Sequence, residues 1–316
     1  MPAASTAGHA EADLARQNET GGGSRETEVN EVAVKPVAGS PGAVITTTAA
    51  ACRRSNGPGG DHLHGLGPGF PATPVTSVTM GGMTIRVAMW SGPRNISTAM
   101  MRSFGSRADT VVSDEPLYAH YLAATGLDHP GRDEILASQP QRWEDVADAL
   151  TGPVPGDPAV FYQKHMTHHL LPQIGRDWLG KLTHAFLIRD PAHVVASYAK
   201  VRGEPTLDDL GYPQQAEIFR TFGGPVVDSA DVLRDPQRTL RLLCEALGLT
   251  FDPAMLSWSP GPRPEDGVWA PHWYASVHAS TGFAPWNPTP AEVPARLRPL
   301  VEAARPYYEE LAAHRL

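Results

Sequence analysis

The sequence predicts an α/β fold, a doubly wound and mostly parallel sheet that is flanked by helices. From Thr84 onward, short apolar segments alternate with longer segments that have helical spacing. Turn-forming residues follow the first apolar segment, in the SGPRN stretch that begins at Ser91. Strands that alternate with helices favour parallel βαβ units over hairpins. The chain has 316 residues, of which 41% are hydrophobic, and this is enough for one large domain of that kind.

The predicted strands are short and apolar, and each is separated from the next by helical or turn-rich sequence. They are residues 84–90, 110–114, 159–164, 184–189 and 225–228. The predicted helices have apolar residues at three- and four-residue intervals. They are residues 96–104, 140–150, 191–200, 236–249 and 294–316, with Gly248 as a stop signal in the fourth.

Residues 1–79 differ in composition from the rest of the chain. They are rich in Gly, Ser, Thr, Ala and Pro, and large aliphatic or aromatic residues are sparse. Such a segment buries too little apolar surface to offset the entropy of ordering it, so we expect a disordered tail before a domain at 80–316. Met80 and Met83 precede the first strand, so the tail is either a true extension or an over-called translation start.

The bulk composition excludes several classes of protein. The formal net charge of −8 does not favour a polyanionic partner, so we expect no nucleic acid binding. No apolar run reaches the roughly 18 residues that span a bilayer. The two cysteines, Cys52 and Cys244, have neither the spacing of a zinc site nor the number for a disulfide framework, so we expect a reducing, cytoplasmic location.

The loop after the first strand has the features of an anion site. Gly92 and Pro93 turn the chain sharply, and the following helix N-terminus offers backbone N–H groups to a negative charge. Arg94, Asn95 and Ser97 add a cation and hydrogen-bond donors. The loop lacks the second glycine and the lysine of the nucleoside-triphosphate motif. The alternative interpretation is an ordinary strand-to-helix turn with a surface arginine.

This loop resembles the phosphosulfate-binding loop of sulfotransferases that use 3′-phosphoadenosine 5′-phosphosulfate (PAPS). Residues 93–98, PRNIST, fall in order on the family pattern, with Ile96 where the family usually has glycine. The resemblance implies that Arg94 contacts the phosphosulfate and that Ser97 and Thr98 hold the 5′-phosphate. The residues it assigns to this end of the donor are Ser91, Gly92, Pro93, Arg94, Asn95, Ile96, Ser97 and Thr98.

A second motif follows the fourth strand, in the sequence FLIRDPAHVVASY at 186–198. Asp190 can cap a helix, and Pro191 suits its first turn. This stretch resembles the 3′-phosphate motif of the same sulfotransferases, which implies that Arg189 and Ser197 bind the 3′-phosphate of PAPS. The alternative is a strand end with a capped helix and a surface salt bridge.

The sequence offers two candidates for the general base of sulfuryl transfer. The Glu-Pro pair at Glu115 resembles the one that supplies the base in carbohydrate and other sulfotransferases. His165 lies close to the position of the catalytic histidine of the cytosolic enzymes, with the register shifted by one residue. Lys164 is the candidate for neutralising the transferred group. His165, His168 and His169 lack a nearby carboxylate or cysteine partner, so we expect no metal site.

We therefore expect a PAPS-dependent sulfotransferase that acts on a hydroxyl or an amine of a small-molecule, carbohydrate or lipid acceptor. The aromatic residues of 268–274 and Trp286 are candidates for the acceptor pocket, and Arg263 is a further candidate for contacting PAPS. A P-loop kinase of a small metabolite and a non-catalytic nucleotide-binding protein on the same fold are the alternatives. The sequence does not predict the identity of the acceptor or the oligomeric state.

Overall fold

The computed structural model describes residues 83–200 and 204–316. The predicted tail at 1–79 lies outside these residues, as does Cys52. Within them the five predicted strands are present, each with bounds close to the predicted ones. They are β1 (Ile85–Ser91), β2 (Thr110–Asp114), β3 (Val160–Met166), β4 (Thr183–Ile188) and β5 (Val226–Asp228).

The strands form one sheet in the order β2-β3-β1-β4-β5. Each of the four pairings along this order is parallel. The predicted doubly wound sheet is therefore confirmed, and the strands named here make it parallel throughout.

Helices cover both faces of the sheet. They are α1 (Ser97–Phe104), α2 (Tyr118–Thr125), α3 (Arg132–Ser138), α4 (Trp143–Thr151), α5 (Pro191–Ala199), α6 (Leu207–Leu210), α7 (Tyr212–Phe222), α8 (Ser229–Arg234), α9 (Pro236–Ala246), α10 (Ala270–Trp273), α11 (Ala275–His278) and α12 (Arg298–Ala312). The five predicted helices correspond to α1, α4, α5, α9 and α12. None of the helices in the described ranges has the length and apolarity needed to cross a membrane.

The strand period of two distributes the core between two layers. In β1, Val87 and Met89 belong to one buried cluster, whereas Ala88 and Trp90 belong to the cluster on the opposite face. Helices α1, α2 and α9 contribute to the first cluster, and α4, α7 and α12 contribute to the second. Both faces of the sheet are therefore buried, as is usual for a parallel sheet.

The strand order creates a crevice beside β1. The chain leaves β1 in one direction to reach β2 at the sheet edge, and it leaves β4 in the other direction to reach β5. Loops that follow adjacent parallel strands in opposite directions leave a gap at the carboxyl edge of the sheet, where ligands of such folds bind. Here the two loops at that gap are residues 92–96 and residues 189–190, the two segments that the sequence motifs single out.

Candidate functional site

The loop after β1 is fixed by contacts with neighbouring backbone. A Cβ on Gly92 would lie 2.5 Å from the carbonyl oxygen of Leu210, so glycine is required for this approach. Asn95 donates from Nδ2 to the carbonyl oxygen of Leu187 at 3.0 Å, and its Oδ1 accepts from the N–H of Ile96 at 2.9 Å. The Asn95 side chain therefore attaches the loop to β4.

Arg94 occupies the left-handed region of backbone conformation, with φ of 55°. This region is uncommon for a residue other than glycine, and such strain is often found at functional sites. Arg94 lines a cavity of about 400 Å³ together with five neighbours from the same segment, Pro93, Asn95, Ile96, Ser97 and Thr98. The N-terminus of α1 thus borders the cavity, where its dipole favours an anion.

The end of β4 leads directly into a capped helix. Asp190 accepts a hydrogen bond from the N–H of Ala192 at 2.8 Å, and Pro191 occupies the first turn of α5. The predicted cap at this position is confirmed. Tyr212 donates its hydroxyl to the carbonyl oxygen of Arg189 at 2.7 Å, which holds the peptide of Arg189 in place.

The two motif segments meet in the cavity. The Arg189 guanidinium donates to the carbonyl oxygen of Arg94, and Arg94 Nε donates to Ser197 Oγ at 3.1 Å. Among the described residues, no carboxylate forms an ion pair with either guanidinium. Burial, the largest cause, and the positive charge of Arg94 lower the pKa of Arg189 from its ordinary value. Two adjacent cations without an acidic partner are a suitable environment for a phosphate or sulfate group.

A buried ionic network forms another wall of the cavity. Lys164, two residues before the carboxyl end of β3, contacts Asp114 Oδ1 at 2.9 Å and Glu115 Oε1 at 2.5 Å. Its ammonium also donates to the hydroxyl of Tyr274 at 2.8 Å. Strand register explains this arrangement, because Asp114 pairs with Lys164 where β2 and β3 end. Glu115 follows with a left-handed φ of 41°, the second cavity-lining residue in that conformation.

The network shifts the proton affinities of its members. Burial, the largest cause, and the negative charge of Asp114 raise the pKa of Glu115, although Lys164 acts in the opposite direction. Burial alone would lower the pKa of Lys164, but the Asp114 and Glu115 carboxylates hold it well above its ordinary value. Lys164 is thus a permanent cation, whereas Glu115 is a carboxylate with an increased affinity for a proton.

His165 lies on the opposite face of the sheet from Lys164, because consecutive strand residues point to opposite sides. Its ring stacks on Trp90 with 4.3 Å between centroids, and it does not line the cavity. Burial, the largest cause, lowers the pKa of His165 to about 3. This placement argues against His165 as a base.

The cavity continues past Glu115 into a region of aromatic and imidazole side chains. The residues that line this region are Tyr118, His129, His168, His169, Trp273, Tyr274, Val277 and Phe283. Burial, the largest cause, and the neighbouring His168 keep the pKa of His169 well below its ordinary value. The region therefore presents flat aromatic and imidazole rings in the same cavity as Glu115 and Lys164.

The structure brings most, but not all, of the predicted site residues to this cavity. Ser91 is the last residue of β1 and Gly92 is the first residue of the loop, and neither lines the cavity. Arg263 is also absent from the lining and lies 3.7 Å from Glu265. Within the aromatic stretch 268–274, Trp269 is in the core. Trp286 does not line the cavity and packs on Arg234, with 4.6 Å from the guanidinium carbon to the ring centroid.

Sequence reasoning missed Asp114 and the role of Tyr274 in the network. Asp114 could have been found from its position, because it is the last residue of a predicted strand and immediately precedes Glu115. Tyr274 gave no such signal, since the chain returns to the site from a segment 110 residues after Lys164. In the described part of the chain, no group of three or more His, Cys, Asp or Glu residues is placed to hold a metal ion.

Comparison with known proteins identifies a family and two curated relatives. The protein-family model for the sulfotransferase domain matches residues 85–315. Branched-chain-amino-acid aminotransferase-like protein 1 of Arabidopsis thaliana is 41% identical over 231 residues, which cover 71% of this chain and 41% of that protein. Branched-chain-amino-acid aminotransferase-like protein 2 of the same plant is 37% identical over 231 residues, which again cover 71% of this chain and 41% of that protein. The chain thus spans about two fifths of the length of these relatives.

Three solved structures are also similar to this chain. The sulfotransferase domain from the curacin biosynthetic pathway has a TM-score of 0.44 at 14% identity, covering 73% of this chain and 98% of its own. The sulfotransferase from Alicyclobacillus acidocaldarius has a TM-score of 0.44 at 16% identity, covering 73% and 96%. The sulfotransferase domain of the Synechococcus PCC 7002 olefin synthase has a TM-score of 0.42 at 16% identity, covering 70% and 94%.

Proposed function

Since the chain belongs to the sulfotransferase domain family, a family of sulfuryl transferases, we propose that it uses PAPS as the donor. The acceptor in this proposal is a hydroxyl or an amine of a small molecule, a carbohydrate or a lipid. The observation that carries the proposal is the meeting of the two predicted anion-binding segments in one cavity, where the Arg189 guanidinium contacts the backbone of Arg94.

The donor set fits the two ends of PAPS. The N–H groups at the start of α1, with Ser97 and Thr98, offer hydrogen bonds to the 5′-phosphosulfate, and Arg94 supplies a cation. Arg189 and Ser197 then remain for the 3′-phosphate, because they come from the end of β4 and from α5 rather than from the loop after β1. When bound, PAPS would supply the activated sulfuryl group.

The carboxylate–lysine pair supports a direct transfer. Glu115 accepts the proton of the acceptor hydroxyl or amine while the new bond to sulfur forms. The bond between sulfur and the bridging phosphate oxygen breaks, and the electron pair leaves with adenosine 3′,5′-bisphosphate. The permanent charge of Lys164 lies beside Glu115 and favours negative charge that develops at this end of the cavity.

Binding of adenosine 3′,5′-bisphosphate tests the donor site. We expect Arg189→Ala to weaken this binding by at least roughly tenfold, because a charged hydrogen-bonding partner of the 3′-phosphate is lost. Calorimetric titration measures the affinity. Arg220→Ala is a matched control, since Arg220 pairs with Glu310 on the surface. Equal affinities of Arg189→Ala and the wild type would contradict the assignment of Arg189.

The same preparations test the chemistry. We expect Glu115→Gln to retain the affinity for adenosine 3′,5′-bisphosphate but to lose roughly 10²- to 10⁴-fold in the rate of transfer from PAPS, as for removal of a general base. Mass spectrometry of a metabolite extract, which detects the gain of one sulfuryl group, supplies the assay and identifies the acceptor. Binding without transfer would favour a non-catalytic protein, and magnesium-dependent turnover of ATP would favour a kinase.

A further inference from the structure

The Lys164 ammonium has no hydrogen-bond donor left over. An ammonium group has three N–H donors. The contacts with Asp114 Oδ1, Glu115 Oε1 and the Tyr274 hydroxyl, at 2.9, 2.5 and 2.8 Å, account for all three. The protein itself therefore fixes both the position of this cation and the direction of its N–H bonds.

The Tyr274 hydroxyl is equally engaged. It donates to the Asp114 carboxylate, with oxygen–oxygen distances of 2.9 and 2.7 Å. It accepts from Lys164 and from Trp269 Nε1, the latter at 3.0 Å. Asp114 Oδ2 also accepts from the N–H of Gly267 at 3.2 Å. Tyr274 and Asp114 thus connect the 267–274 segment to the ends of β2 and β3.

We propose that Tyr274 and Asp114 are positioning residues that fix the Lys164 ammonium against Glu115 and thereby set the protonation of Glu115. The inference rests on the proposed function only for the catalytic use of Glu115. Asp114 has no place in the cavity lining, so it acts through its two partners. Tyr274 lines the cavity, but its hydroxyl is occupied within the network.

The two residues influence Glu115 in opposite directions. The Lys164 ammonium, which Tyr274 helps to hold, favours the charged form of Glu115, whereas the negative charge of Asp114 disfavours it. Other titratable or charged groups that line the same cavity are Arg94, His129, His168, His169 and Arg189. Tyr274→Phe leaves these groups unchanged and removes one contact of the Lys164 ammonium, whereas Asp114→Asn removes a negative charge but keeps a side-chain oxygen that can accept from Lys164.

Carbon-13 NMR titration of glutamate carboxyl signals tests the inference without requiring activity. The Glu115 signal is identified by its loss in Glu115→Gln. In Tyr274→Phe we expect the titration midpoint of Glu115 to move to higher pH, because the Lys164 ammonium, which favours the charged form of Glu115, loses one of the three contacts that hold it in place. In Asp114→Asn we expect it to move to lower pH, because a neighbouring negative charge is removed while the asparagine Oδ1 can still accept from Lys164.

Tyr162→Phe is the matched control. Tyr162 lies two residues before Lys164 on the same strand, and its buried hydroxyl has no hydrogen-bond partner among the described residues. We expect no change in the Glu115 midpoint in this variant. Unchanged midpoints in Tyr274→Phe and Asp114→Asn, or shifts of the same sign, would overturn the inference. If one variant does not fold, the other decides alone, because each has a signed expectation.

Kinetics supply the second measurement. The acidic limb of the profile of kcat/KM against pH should move with the NMR midpoint in each variant, whereas damage to packing would lower the whole profile without moving the limb. Binding of adenosine 3′,5′-bisphosphate should stay within about twofold of the wild type. Signed NMR shifts in a protein that transfers nothing from PAPS would support the positioning roles and refute the proposed function.

Discussion

At the scale of single residues, the site depends on positions where one added atom would change the path of the backbone. Gly92 is such a position, because a Cβ there would collide with the carbonyl oxygen of Leu210, which is backbone and cannot rotate away. The loop that follows Gly92 carries the N-terminus of α1 and Arg94 into the cavity. A change at Gly92 is therefore expected to affect both the packing of the loop and the proposed anion site.

We expect Gly92→Ala to destabilise the protein by about 1–3 kcal/mol, the range for overpacking a filled region. The displaced loop should also weaken the binding of adenosine 3′,5′-bisphosphate. Urea unfolding and calorimetry measure the two effects. Gly180→Ala serves as the control, since a Cβ at Gly180 would meet nothing within 4 Å. Equal stabilities of the two variants would show that the Leu210 backbone yields without cost.

The sequence predicts which residue types form the candidate site better than it predicts which face of the sheet each side chain occupies. Lys164 and His165 are adjacent, and both were reasonable candidates for the chemistry. Which of the two faces the cavity depends on the pairing of β3 with its neighbours, and that pairing is a property of the assembled sheet. The contribution of Tyr274 was equally inaccessible, because it depends on a long-range return of the chain.

At the scale of elements, the cavity wall formed by the 267–284 segment is fastened to α1 by a buried ion pair. Arg102 and Asp266 are 2.6 Å apart, with side-chain exposures of 1% and 4%. Asp266 Oδ2 also accepts from the N–H of Arg263 at 2.9 Å and contacts His278 Nε2 at 3.0 Å. Asp266 Oδ2 thus contacts three parts of the chain, at Arg102 in α1, at Arg263 and at His278 in α11.

We expect Asp266→Ala to lower the free energy of unfolding by about 3–5 kcal/mol, because the Arg102 charge would be left buried without a partner. Glu310→Gln is the control. It removes the charge that pairs with Arg220 on the surface, and such pairs contribute at most about 1 kcal/mol. Chemical denaturation of both variants gives the comparison. A cost for Asp266→Ala as small as that for Glu310→Gln would mean that water reaches Arg102.

Predictability differs between kinds of element. The strands are evident in the sequence because each is an apolar run between turn signals, and α5 and α9 are evident from their Asp-Pro starts. Helices such as α2 and α7 were not predicted. Tertiary packing gives them their stability, since α2 fits between α3 and the core and α7 packs on α12.

At the scale of the whole molecule, the strand order brings together the two segments that we propose to bind the anionic ends of PAPS. The sequence predicts parallel strands and the loops that follow them, but not their order. The order depends on the direction in which each crossover passes the sheet, and packing decides this only when the core is assembled. The expectation that the two motif segments meet did not need the strand order, because it required only that the loops after β1 and β4 lie at the same edge of the sheet.

Buried neutral histidines make the stability of the whole protein depend on pH. Burial, the largest cause in each, lowers the pKa of His165 to about 3 and also lowers those of His169 and His184. These histidines take up protons when the chain unfolds below the ordinary value of 6.5. The unfolded state then binds more protons than the folded state, so these groups lower the stability as the pH falls from about 6.5 toward 3.

His165→Gln isolates one of these protons. Between pH 6 and pH 4 we expect the slope of the unfolding free energy against pH to become less positive in the variant by about 1.4 kcal/mol per pH unit, the effect of one proton. Urea unfolding at several pH values gives the slope. The variant should also keep its sulfuryl transfer, because His165 lies outside the cavity. An identical slope in both proteins would mean that His165 is protonated in the folded state.

The left-handed backbone at Arg94 and Glu115 makes the shape of the cavity sensitive to local unfolding. An isolated peptide seldom adopts these torsions at such residues, so only the surrounding strands and helices keep them there. Fraying at the carboxyl ends of β1 and β2 would let both peptides relax. The proposed anion binding and proton transfer would then disappear together, while most of the sheet is still intact.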